Sequence, residues 1–76
     1  MDAKLIWNFS GEGALKTAKH HLIHLKEYSE REKVEILEFG TEKQNDFSAI
    51  SFLIVNKDLV PQLRKSLNPH QGFLVD

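Results

Sequence analysis

Seventy-six residues are the length of a single domain, residues 1–76, and ten basic against eleven acidic side chains leave a formal net charge of −1. That balance argues against nucleic acid as a partner, because such binders carry a basic excess or a basic stripe, and the lack of cysteine excludes a disulfide staple or a thiolate metal site. A chain this short buries roughly 60–65% of the surface it exposes when unfolded and is held by only about 4–11 kcal/mol, so its core or a second copy must supply the stability.

The opening MDAKLIWNF is acidic at once and has no long apolar run. No signal peptide and no membrane partner are expected, and the expected location is cytoplasmic. Residues 4–10, KLIWNFS, alternate as a strand does, with Leu5, Trp7 and Phe9 on one side and Lys4, Ile6, Asn8 and Ser10 on the other. Ser10-Gly11-Glu12-Gly13 reads as a turn, in which Ser10 or Glu12 offers an oxygen to the free N–H groups of a following helix.

That helix begins at Gly13 and is expected to end near Glu30 or Arg31. On a helical wheel Ala14, Leu15, Ala18, Leu22 and Leu25 fall within about 100° of one another, the stripe of a core-facing helix. Lys16, Lys19, Lys26, Glu27 and Glu30 take the opposite side, Ile23 is expected to be exposed, and His21 lies at the edge of the stripe, packed near Tyr28. Residues 33–39, KVEILEF, read as a second strand, and residues 40–46, GTEKQND, as a mobile hairpin loop. Residues 47–55, FSAISFLIV, are the strongest strand. One of its faces carries Phe47, Ala49, Leu53 and Val55, the other Ile50, Phe52 and Ile54. Asn56 or Asp58 caps a second helix to about Leu67, with Pro61 tolerated in its first turn and Asn68-Pro69 stopping it. Residues 72–75, GFLV, make a short last strand.

Strand, helix, strand, strand, helix, strand is the order of the ferredoxin-like βαββαβ fold, an α+β class with both helices on one face of a four-stranded antiparallel sheet. Gly13-Ala14-Leu15 at the start of the first helix resembles ACT-type small regulatory domains, and the stretch from Asp58 to Val75 has their rhythm. That resemblance implies amino-acid binding at a dimer interface.

Two helices cover only one face of such a sheet, while the third strand is apolar on both. The open face is therefore expected to carry a patch of roughly several hundred Å² and to join two copies as a homodimer. This makes the chain a small binding or assembly domain of unknown specific function and ligand, with no cofactor expected. Two further readings rest on the histidines. His20 and His24 lie one turn apart with Glu27 a turn beyond, so the three are candidate ligands for zinc or another divalent transition metal; the same histidines also read as solvated surface groups or as a pH-sensitive contact. A cofactor-free enzyme with His21 or His24 as acid/base is the remaining alternative. His70, at the end of the second helix, is expected to lie near Gly11 to Gly13, away from the His20–His24 pair.

Overall fold

The computed structural model of the chain describes residues 1–75. Its elements are β1 (Asp2–Ser10), α1 (Ala14–Glu32), β2 (Glu38–Asn45), β3 (Ser48–Asn56), a 3-10 turn (Lys57–Leu59), α2 (Val60–Leu67) and β4 (Gln71–Val75). The four strands form one sheet in the order β2-β3-β1-β4, and every neighbouring pair is antiparallel. β1 and β2 therefore run the same way, with β3 inserted between them.

Both helices cover one face. Leu25 of α1 and Leu63 of α2 close over Leu5, Trp7, Leu53 and Val55, all odd-numbered positions of the two central strands. Five of these six are at most 1% exposed, and Trp7 is at 4%. The wheel reading of α1 holds: Ala14, Ala18 and Leu25 are buried, and Ile23 is 54% exposed.

Several boundaries differ from the sequence reading for identifiable reasons. No side chain caps α1. Gly13 occupies the cap position in the left-handed region at φ 77°, and backbone bonds from Thr17 N–H to Gly13 C=O and from Ala14 N–H to Gly11 C=O start the helix instead of Ser10 or Glu12. At its other end α1 runs to Glu32, because Lys33 also turns left-handed and Val34 N–H donates to Ser29 C=O at 2.9 Å. Val34 and Ile36, expected in a strand, belong to the connection and pack half-buried on the core.

β2 is the largest displacement. It occupies Glu38–Asn45, most of the stretch read as a loop, and it pairs with β3 up to a bulge between Lys43 and Asn45. Phe47 stands outside β3 in the hairpin turn, 60% exposed, where its N–H donates to Asn45 Oδ1 at 2.8 Å. Asn56, expected to cap the second helix, caps the 3-10 turn before it: its Oδ1 accepts from Asp58 N–H at 2.9 Å, whereas Leu59 holds the cap position of α2 with no side-chain bond, and Pro61 falls in the first turn of α2.

The open face is more closed than expected. Ile6, Ile50 and Phe52 are only 6%, 4% and 8% exposed, although no helix lies over them. The Phe52 ring lies across Gly40 on β2, so near that a Cβ there would stand 3.0 Å from a ring carbon, and Lys4 Nζ stands 4.5 Å above the ring centroid. The sheet covers its own apolar centre with its own side chains. The large apolar side chain that remains exposed on this face is Phe73 of β4, opposite Lys4, at 50%.

Candidate functional site

Two places bring chemically useful groups together. The first is the histidine side of the helix layer. His21 is half-buried, with its ring centroid 5.3 Å from those of both Trp7 and Phe9. Its Nδ1 lies 2.9 Å from Ser51 Oγ, and Ser51, at 0% exposure, is the one polar residue buried in the core among the described residues. The sequence pointed to Tyr28 as the neighbour of His21. The rings that flank it are on β1, because an edge position on α1 leans over the sheet toward the strand beneath it.

Trp7 is fixed from the other side as well, since its indole N–H donates to Leu67 C=O at the end of α2 at 2.9 Å. His70 begins the return to the sheet: its N–H donates to Ile6 C=O, and its Nδ1 accepts Asn8 N–H at 2.8 Å, extending the ladder beyond the end of β4. Trp7 on β1, His21 on α1 and Ser51 on β3 thus form a linked set, and His70, in the connection before β4, bonds to β1 at Ile6 and Asn8 on either side of Trp7.

Burial holds the His21 pKa below its ordinary value, and the charges of His24 and His70 push it the same way. In the unfolded chain this imidazole titrates near about 6.5. Between that value and its lower folded pKa the unfolded state binds more protons, so folding stability falls as pH is lowered through that window and the effect vanishes above it. Urea midpoints measured from neutral to mildly acidic pH should drop less in His21→Gln than in the wild-type chain. Identical pH slopes would remove His21 as the source.

His20 and His24 come together on the exposed flank of α1, with their Nε2 atoms 3.1 Å apart. Glu27 does not join them: among the described residues no three His, Cys, Asp or Glu side chains gather around a common point.

The second place is a groove between α2 and the edge strand β4, holding about 520 Å³. Ala3, Leu5 and Gly72 lie along it, Val60 and Pro61 come from the α2 side, and Leu74 stands at the strand, 60% exposed. Gly72 leaves little room there, since a Cβ would meet Leu5 Cδ2 at 3.1 Å and Leu5 would have to give by a few tenths of an ångström. Sequence reasoning missed this groove. Its one usable signal was the uncharged run QGFLV following a helix only two turns long.

Comparison with family models, with curated proteins and with solved structures finds no match for this chain. No helix among the described residues is long and apolar enough to cross a membrane.

Proposed function

We propose that this chain is a small binding and assembly domain with the ferredoxin-like arrangement, and that it works as a homodimer joined at β4 and the adjoining part of the open sheet face. The strand order 2-3-1-4 with a strand inserted inside each βαβ half supports that fold type. The observation that carries the dimer is the outer edge of β4. β4 pairs with β1 on its inner side and with no strand on its outer side among the described residues; it carries no charge between Gln71 and Val75 and has an exposed Phe73 on one face and an exposed Leu74 on the other. Natural proteins blunt such edges, and β2 at the opposite side is blunted by Glu38, Glu42, Lys43 and its bulge.

The edge is complementary to itself. Antiparallel pairing of two β4 strands about a two-fold axis through Phe73 sets residue 72 of one copy opposite residue 74 of the other. The partner's Leu74 then lies over Gly72, beside Ala3, Val60 and Pro61, and the two Phe73 rings meet on the open face. Stable interfaces bury roughly 1,200–2,000 Å² in all, and a five-residue strand with its flanks stands at the low end, among weak and transient complexes.

Sedimentation velocity from low to high micromolar concentration, with chelator present, should give a dimer for the wild-type chain. Leu74→Lys should give a monomer with an unchanged far-UV spectrum, and Ile23→Lys, on the far side of α1, should leave the dimer intact. A wild-type chain that stays monomeric at high micromolar concentration rules the proposal out.

A further inference from the structure

We propose that His20 and His24 form a two-imidazole chelate for one divalent first-row transition metal ion on the exposed flank of α1. The chelate is independent of the dimer and uses different atoms.

Distance comes first. Two nitrogens each about 2.0–2.1 Å from one ion stand about 2.9 Å apart at a right angle and about 3.4 Å apart at a tetrahedral angle. The two Nε2 atoms, 3.1 Å apart, lie within that interval. Orientation agrees. The ring centroids are 4.8 Å apart and the planes cross at 75°, so the tips are nearer than the centres. The rings converge at Nε2 and splay behind it, as two ligands of one ion do.

The scaffold is rigid where rigidity counts. His20 and His24 are one turn apart on a helix whose opposite side is fixed by Ala18 at 0% and Leu25 at 1% exposure. Binding therefore orders two side chains and no loop. Without an ion the same contact serves as an imidazole–imidazole hydrogen bond, in which one Nε2 donates and the other accepts. When two metal–nitrogen bonds form, the proton on the donating Nε2 moves to Nδ1 of the same ring, so both imidazoles stay neutral.

Ligand chemistry fixes the class of ion. Neutral imidazole suits copper(II), nickel(II) and zinc, whereas magnesium and calcium prefer oxygen. Lys16 and Lys19 share the adjoining surface with His20. Their charge opposes a dication and leaves the remaining coordination positions to water or a small anion.

The test is calorimetric titration of the untagged chain with copper(II) chloride and, separately, zinc chloride, with magnesium chloride as control. One ion per chain is expected, tighter for copper than for zinc. Affinity should fall at least tenfold in His20→Ala and in His24→Ala, and saturable binding should disappear in the double variant. Both residues are exposed, so far-UV spectra should match the wild type. In imidazole NMR spectra the first equivalent of zinc should shift the His20 and His24 signals and leave His21 and His70 in place. No uptake by the wild-type chain overturns the chelate, as does equal uptake by the double variant. So does an affinity that either single variant leaves unchanged.

Discussion

Trp7→Ala is expected to cost about 3–5 kcal/mol, the range for deleting a buried aromatic side chain, against a total of about 4–11 kcal/mol for a chain this size. The ring is 4% exposed and held at two ends, by the hydrogen bond from Nε1 to Leu67 C=O and by the His21 ring at 5.3 Å. Removing it empties the space between the helices and leaves the Leu67 carbonyl without its donor. Urea denaturation followed by far-UV circular dichroism measures the loss. Trp7→Phe separates the parts: it keeps most of the packing and forfeits the N–H, for about 1 kcal/mol. A cost below 1 kcal/mol for the alanine variant would mean that Trp7 does not join the two helices to the sheet.

Leu25→Ala should cost about 2–5 kcal/mol by the same mechanism, because Leu25 is 1% exposed within the cluster that contains Leu5, Leu53 and Leu63. Two residues earlier, Ile23→Ala should change stability by no more than about 0.5 kcal/mol, since that side chain is 54% exposed. Equal effects at the two positions would place α1 in the wrong rotation about its axis. The pair tests the packing of α1 directly, with thermal or urea unfolding as the readout.

The same helix is where the sequence was most readable. Nineteen residues of α1 repeat the apolar period several times, so the stripe at Ala14, Ala18 and Leu25 stands out from its surroundings. His20 and His24 were legible as a pair for the same reason, since i and i+4 spacing fixes proximity without tertiary information. β2 was misplaced because it is an edge strand. Its register is set by ladder bonds to β3, and its own side chains, EFGTEKQN, need little burial. The apolar residues just before it, Val34 and Ile36, look like a strand but fasten the connection to the core.

Contacts between distant parts of the chain left no local trace. His21 and Ser51 are thirty positions apart, and the α2–β4 groove draws on Ala3 and Leu74 together. The covering of the open face was equally hidden: Gly40 read as a loop glycine, whereas it is the floor on which the Phe52 ring lies.

The two sheet edges differ as the two ends of a monomer differ in polymer chemistry. On the proposed pairing β2, with its charges and its bulge, is a capped end, and β4 is the reactive one. A unit with two reactive ends grows by step addition, and its products lengthen with concentration. A unit with one has a valence of one: the first addition consumes the only reactive end on each partner, and no further step exists. On the proposed pairing, the mass distribution of this chain stops at two however concentrated the solution becomes.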